Sequence, residues 1–203
     1  GADAKESGVL QGELAAAYLK AHPEADRNQD GVIQYVVLEG EAGHQDAILR
    51  TEYAASTLKE RGIALEKLGY ALANWNRSQA QTQVQQLLQS YGTRIELILA
   101  NNDDMALGAL DAYRASNIPL PPIFGIDGTE PGLSAVRDQS LTGTVKNNGI
   151  GQAEAMLSLA LSLAAGEKSA YTLDRGKYIR IPYEAVSADK DSSITARSTE
   201  LSR

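Results

Sequence analysis

The 203-residue sequence contains no cysteine. Disulfides, thiolate zinc sites and cysteine nucleophiles are therefore excluded, while any redox compartment is allowed, the periplasm included. Positive charge is also scarce, because 19 Lys and Arg stand against 26 Asp and Glu, without a basic block. Nucleic-acid binding needs clustered Lys and Arg, so the composition argues against it.

Long apolar runs do not occur either. A transmembrane helix needs roughly 18 consecutive apolar residues, so no membrane insertion is predicted, and the N-terminus does not have the pattern of a signal peptide. The hydrophobic content of 43% is nevertheless enough for the core of one large domain or two small ones.

Strand-like and helix-like segments alternate along the chain. Periodicity predicts helices over about 5–21, 45–61, 78–91, 103–116, 130–138 and 150–165, and strands over 32–38, 63–71, 94–100, 121–127, 141–146 and 178–186. This alternation predicts an α/β fold, with a doubly wound parallel sheet and helices on both faces. The polar residues from 189 onwards are expected to fray.

One short loop carries oxygen-bearing side chains at alternate positions, namely Asp26, Asn28, Asp30 and Gln34. Gly31 follows the third of them, and Val32 stands where a backbone carbonyl would be the ligand, as in the first part of an EF-hand calcium loop. The bidentate Glu expected at the twelfth position is absent and a strand follows, so this is not an EF-hand. An Asx-rich surface turn is the alternative.

Glu96 lies inside the apolar strand predicted over 94–100. A buried carboxylate is costly unless it is paired or binds a metal. Glu96 could remain in the wet first turn of the strand or pair with a cation such as Arg94. Alternatively, it supplies the carboxylate that the loop lacks, so that Asp26, Asp30 and Glu96 form an oxygen cage for a hard cation.

Polar or aromatic side chains follow five consecutive predicted strands. Ligands of open α/β sheets bind beyond the carboxyl ends of the strands. The residue types can bond vicinal hydroxyls, and an indole offers a flat apolar face to a sugar ring, whereas a Gly-rich phosphate loop is not seen. The pattern predicts a neutral polyhydroxylated ligand at His44, Asp46, Arg50, Trp75, Asn102, Asp127 and Asn147.

An ordinary structural role is open for each candidate. Asp46 and Arg50 have the spacing of a surface ion pair on a helix, and Trp75 could fill the core or its rim. Asn102 or Asp103 is expected to cap the helix that begins at 103. The remaining candidates could be turn or loop residues.

Together these motifs resemble the galactose/glucose-binding branch of the type I periplasmic sugar-binding protein family. Their order and approximate spacing match over nearly the whole chain up to Asp189. The resemblance is carried by Lys5-Glu6-Ser7-Gly8, the loop 26–34, Gly43-His44-Gln45-Asp46 with Arg50, Trp75, and the segments 98–103, 124–127 and 143–147.

The resemblance implies non-catalytic binding of a hexose, D-galactose or D-glucose, at the seven candidate residues. It implies periplasmic location and two partners, an ABC transporter permease for uptake and a chemoreceptor for chemotaxis. It also implies a structural calcium ion held by Asp26, Asn28, Asp30, the Val32 carbonyl, Gln34 and Glu96.

Such proteins close two lobes on the sugar, and the first is expected to be mostly absent from this sequence, which leaves the sugar site half built. Residues 1–147 are expected to form the C-terminal lobe and 148–180 to belong to the missing N-terminal lobe. Residues 181–190 would return to the C-terminal lobe, and 191–203 would be a polar tail. The apolar helix 150–165 would then lack its sheet and could dock on another copy.

Three other functions are weighed. The effector domain of a LacI-type regulator would need a basic helix-turn-helix segment upstream, and a calcium loop is not expected there. An enzyme using His44 and Asp46 as an acid-base pair lacks a nucleophile or a cofactor loop. A self-associating fragment with no ligand of its own is the third.

Overall fold

The computed structural model describes residues 1–187, in which six α-helices and six strands alternate. The helices are α1 (Ala4–Ala21), α2 (Gln45–Glu60), α3 (Arg77–Tyr91), α4 (Asp103–Ser116), α5 (Glu130–Arg137) and α6 (Gly149–Ala165). The strands are β1 (Ile33–Glu39), β2 (Leu65–Leu72), β3 (Leu97–Ala100), β4 (Ile123–Phe124), β5 (Gly143–Lys146) and β6 (Glu184–Ser187). Short 3₁₀ turns occupy Pro23–Ala25 and Gly92–Arg94.

All six strands lie in one sheet, in the order β2-β1-β3-β4-β5-β6. Neighbouring strands are parallel except β5 and β6, which are antiparallel. Helices α1 and α2 cover one face of the sheet, and α3, α4 and α5 cover the other. The predicted α/β fold with helices on both faces is therefore confirmed.

Strand β1 shows why helices cover both faces of the sheet. Side chains alternate between the two faces of a strand. Val36 and Leu38 pack under α3 and α4, whereas Tyr35 and Val37 pack under α1 and α2. Because both sets are apolar, the strand is an unbroken hydrophobic run and belongs at the centre of the sheet.

Three predicted strands have a bound at least three residues away from the observed one. The strand predicted over 121–127 is only two residues long, because Pro121 and Pro122 have no N–H to donate to the ladder. The strand predicted over 94–100 begins at Leu97. The one predicted over 178–186 is antiparallel to its neighbour. It is also shorter, because the backbones of Ile179 and Ile181 bond to Gly1 instead of the sheet.

Helix α6 stands apart from the two cores. Of its residues only Ala155 is buried. Its large apolar side chains have exposed fractions of 62–76%, namely Ile150, Met156, Leu157, Leu161 and Leu163. The assignment of 148–180 to a second lobe stays a prediction, and the tail 191–203 lies outside the described residues. Within residues 1–187, no helix combines the length and apolarity needed to cross a membrane.

Candidate functional site

Arg50, on α2, is the buried centre of a polar cluster at the carboxyl ends of the strands, with only 5% of its surface exposed. Its Nη1 donates to the Asn101 carbonyl at 2.7 Å and to Asp127 Oδ1 at 3.3 Å. Nη2 lies 3.4 Å from the Tyr183 hydroxyl and 4.0 Å from the Asp46 carboxylate. Arg50 thus lies buried and joins α2 to Asn101 and Asp127, instead of forming an exposed ion pair on the helix surface.

Asp127 presents its carboxylate to this guanidinium from the loop after β4. Its N–H donates to the Val145 carbonyl at 2.8 Å, so the loop is tied to β5. Its φ of 117° is rare for a residue other than glycine. Burial raises the pKa of Asp127, and the charge and hydrogen bond of Arg50 oppose that rise. The two residues form a donor–acceptor pair of the kind that bonds neighbouring hydroxyls.

Trp75 lies at the same edge, half buried, in the loop between β2 and α3. The exposed His44 ring meets the indole edge to face, with ring centres 5.2 Å apart. The Arg50 guanidinium carbon lies 5.8 Å from the indole centre. His44 also caps α2, because its Nδ1 accepts the Asp46 N–H at 3.1 Å.

Two asparagines complete the predicted set. Asn102 is the cap of α4, since its Oδ1 accepts the Met105 N–H at 2.9 Å, and its Nδ2 donates to the Trp75 carbonyl at 3.3 Å. The Asn147 N–H donates to the Asp127 carbonyl at 2.9 Å, and its Oδ1 accepts from Gln152 at 2.6 Å. The structure therefore brings all seven predicted residues into one contiguous cluster.

Three members of the cluster were not among the candidate ligands. Asn101 and Asp103 stand in the same strand-end segment as Asn102, where capping accounts for Asn and Asp equally well. Tyr183 is 133 positions from Arg50 and has no motif around it. Only the folding of the residues before β6 onto α1 and α2 brings its ring to the site.

Asp103 is fully buried under the loops that carry Asp127 and Asn147. Its Oδ2 accepts the Thr129 N–H at 2.7 Å and the Thr129 hydroxyl at 3.1 Å, and its Oδ1 accepts the Thr144 hydroxyl at 2.5 Å. Burial raises the pKa of Asp103 to about 6, against the effect of these hydrogen bonds. The carboxyl therefore joins α4 to β5 and to the start of α5.

The loop 26–34 is closed by its own side chains. The Asp26 carboxylate accepts the N–H groups of Asp30 and Gly31 at 3.2 and 2.8 Å, and Asp30 Oδ1 accepts that of Val32 at 2.8 Å. The amide nitrogens of Asn28 and Gln34 both donate to Asp30 Oδ2, at 2.9 and 3.0 Å. These bonds make the loop an Asx-type turn in its own right.

Glu96 joins this loop to the sheet from the position just before β3. It is 1% exposed, and its carboxylate accepts three backbone N–H groups. Oε1 bonds Arg27 at 2.7 Å and Asn28 at 3.3 Å, and Oε2 bonds Gln34 at 3.0 Å. Pairing with a cation such as Arg94, one of the alternatives open from the sequence, is not needed, because these backbone donors explain how a carboxylate can be buried there.

The loop fits calcium by the chemistry of its donors. The six predicted ligands supply only oxygen, the element that calcium prefers, and the Glu96 carboxylate accepts backbone N–H groups of the loop. The amides of Asn28 and Gln34 would have to rotate to turn oxygen toward an ion, since each now presents its NH₂ to Asp30. Over residues 1–187, no three His, Cys, Asp or Glu side chains are grouped closely enough to hold a metal ion.

Comparison with known proteins agrees with the fold. The family model described as "Periplasmic binding protein domain" matches residues 1–168. The D-galactose/methyl-galactoside binding periplasmic protein MglB of Haemophilus influenzae is 41% identical over 196 residues, which are 95% of this chain and 58% of that protein. A xylitol-binding protein of Mycolicibacterium smegmatis is 34% identical over 159 residues, 78% of this chain and 45% of that one.

Solved structures give the same result. An ABC transporter solute binding protein from Bacillus halodurans, with bound myo-inositol, is 30% identical with a TM-score of 0.75. The match covers 93% of this chain and 59% of that one. The chain spans about half the length of the curated relatives it matches, at 58% and 45% of the two named above.

Proposed function

The chain belongs to the periplasmic binding protein family, and from this membership we propose that it supplies one side of a non-catalytic hexose-binding site. The observation that carries the proposal is the cluster at the strand ends, where the buried Arg50 pairs with the half-buried Asp127 beside the half-buried indole of Trp75. A guanidinium and a carboxylate offer donors and acceptors to adjacent hydroxyls, while the indole covers the C–H face of a sugar ring.

The proposed ligand is D-galactose or D-glucose, bound by His44, Asp46, Arg50, Trp75, Asn102, Asp127 and Asn147. The relative named for D-galactose and methyl-galactoside supports a hexose. Relatives named for xylitol or holding myo-inositol support a polyhydroxylated ligand more generally. These relatives are described as binding proteins, which supports a role without catalysis and weakens the reading as a regulator or an acid-base enzyme.

The proposed task of the protein is to deliver the sugar to an ABC transporter permease from the periplasm. The descriptions of the relatives as periplasmic and as an ABC transporter solute binding protein support it. Signalling through a chemoreceptor rests on the sequence resemblance alone. A second lobe would supply the other half of the site. The same lobe, or another copy of the chain, would cover the exposed apolar side chains of α6.

A calorimetric titration tests the sugar site. We expect galactose and glucose to bind with a Kd of millimolar order, about −4 kcal/mol, because only one side of the ligand is contacted. Asp46→Asn should remove the heat, since it takes the charge and one acceptor oxygen from a half-exposed carboxylate at the cluster. Glu52→Gln, an exposed acid on the same helix α2, should leave it unchanged. Micromolar binding would contradict the half-built site, and no binding in the presence of high millimolar sugar would contradict the proposed function.

We also propose a structural calcium ion at the loop 26–34, bound by Asp26, Asn28, Asp30, the Val32 carbonyl, Gln34 and Glu96. The support is the oxygen-only donor set and the carboxylate that Glu96 brings to the loop from the sheet. The ion would neutralise the three acids and replace the amide contacts to Asp30.

Thermal unfolding tests the metal. A ligand that binds only the folded state at 100 times its Kd adds about 2.7 kcal/mol, which for this size raises Tm by roughly 5–10 °C. We expect that rise when calcium is added after EDTA treatment, and we expect Asp30→Asn to diminish it. Asp138→Asn, an exposed acid far from the loop in sequence, is the control. An unchanged Tm with calcium in excess over EDTA would refute the site.

A further inference from the structure

We infer that Gly40 is a positioning residue for Trp75: its lack of a side chain creates the seat on which the indole lies. The inference rests on the proposed function only in giving that indole a sugar to stack on. Gly40 directly follows β1, at the same edge of the sheet as the cluster around Arg50.

Contact geometry identifies the seat. A Cβ built on Gly40 would lie 2.1 Å from Cζ2 of Trp75, 2.3 Å from Cε2 and 2.4 Å from Cη2. Carbon atoms in contact are ordinarily 3.5–4.0 Å apart, so alanine at this position would push the ring away. Gly40 is not in the positive-φ region. Glycine is therefore required there by the ring, not by the backbone conformation.

Two adjacent asparagines form hydrogen bonds to the backbones of Gly40 and Trp75. The Gly40 N–H donates to Asn101 Oδ1 at 3.2 Å, and Asn101 Nδ2 donates to the Thr51 hydroxyl at 3.0 Å. Asn102 Nδ2 donates to the Trp75 carbonyl at 3.3 Å. Because Asn101 and Asn102 are consecutive, one short segment after β3 is bonded to both the Gly40 backbone and the Trp75 backbone.

The loop that carries Trp75 has an unfavourable backbone conformation. Asn74 and Trp75 have φ values of 49° and 61°, so two successive residues other than glycine lie in the left-handed region. Such backbone costs free energy and persists only where its surroundings enforce it. The contact with Gly40 and the bond from Asn102 are two of those surroundings. A side chain on Gly40 would remove the first and let the loop relax.

The consequence for binding is the position of the platform. With the indole on Gly40, its ring lies edge to face with His44 and within 5.8 Å of Arg50. A ring lifted off this seat would occupy space beside the hydrogen-bonding groups and lose its alignment with them. Gly40 thus sets where the apolar face of the site lies relative to its polar groups.

The experiment compares Gly40→Ala with Gly149→Ala by fluorescence, since Trp75 is the only tryptophan of the chain. Gly149 is a matched control, because its added methyl would meet no atom within 4 Å and its φ is not positive. We expect Gly40→Ala to shift the emission to longer wavelength, to increase quenching by acrylamide and to lower Tm. Gly149→Ala should do none of these.

A double-mutant cycle separates a seat from a merely tight turn. If Gly40 acts through the indole, Gly40→Ala should lower Tm in the wild-type background and leave it unchanged in a Trp75→Ala background. An equal loss in both backgrounds, or unaltered emission and quenching in Gly40→Ala, would overturn the inference. These measurements need no sugar, so a failure to bind galactose would count against the proposed function and not against the seat.

Discussion

Replacing Glu96 by alanine should lower the free energy of unfolding by about 3 kcal/mol even without calcium. The carboxylate is almost fully buried and accepts the N–H groups of Arg27, Asn28 and Gln34. A buried donor left without a partner costs about 1–3 kcal/mol. The Gln34 donor is fully buried, whereas those of Arg27 and Asn28 are partly buried and can recover some hydration, which keeps the sum near the lower limit.

Urea unfolding in EDTA, with and without excess calcium, measures this loss. Glu96→Ala should be destabilised under both conditions and should not respond to calcium. Asp30→Asn should lose mainly the calcium-dependent part, because its carboxylate is exposed. Glu66→Ala, an exposed glutamate on β2, should change the free energy by no more than about 0.5 kcal/mol. If Glu96→Ala were as stable as the wild type in EDTA, Glu96 would not stabilise the link between the loop 26–34 and the sheet.

Replacing Asp103 by alanine should cost about 3 kcal/mol, because the Thr129 N–H and the Thr144 hydroxyl lose their acceptor inside the protein. At pH 4, where the wild-type carboxyl is protonated, Asp103→Asn should restore most of it. Its amide oxygen can accept from Thr129 while its NH₂ donates to the Thr144 hydroxyl, as a protonated carboxyl would. The proposed sugar site should weaken in the alanine variant, since Asp103 holds the loops that carry Asp127 and Asn147.

The pH dependence distinguishes a titrating carboxyl from a simple hydrogen-bond acceptor. The pKa of Asp103 is raised from 3.8 to about 6, so the folded state binds the proton more tightly than the unfolded state. The stabilisation is fully present below pH 4 and is lost as pH rises through 6. At about 1.36 kcal/mol per pKa unit it amounts to roughly 3 kcal/mol.

Asparagine cannot titrate, so the difference in unfolding free energy between wild type and Asp103→Asn reports on this group together with its charge interaction with Asp127. Burial raises the pKa values of Glu6 and Asp127 as well, but they are present in both proteins. We expect the wild type to lose stability relative to the variant between pH 4 and pH 7, by up to about 3 kcal/mol. A constant difference across that range, measured by urea unfolding, would show that Asp103 does not titrate as proposed.

Much of the cluster could be predicted, because the residues that follow parallel strands lie at one edge of the sheet. Once alternating helices and strands imply a parallel sheet, the residues that follow the strands must meet at one edge. His44, Trp75 and Asn102 come from three different strand ends and do meet there. The spacing of the oxygen-bearing residues in the loop 26–34 is likewise a local property. The contact between Glu96 and this loop is not, and it is predicted only from the cost of burying a carboxylate.

The alternation of helices and strands, the two apolar faces of β1 and the polar residue types at each strand end could be recognised in the sequence, since these features depend on neighbours a few positions apart. The contacts between distant side chains could not. Tyr183 reaches Arg50 from 133 positions away, Asp103 becomes a buried link instead of a helix cap, and Gly40 meets an indole 35 positions later. Such contacts depend on how helices and loops pack over the sheet, and the local periodicity of a chain carries no record of that packing.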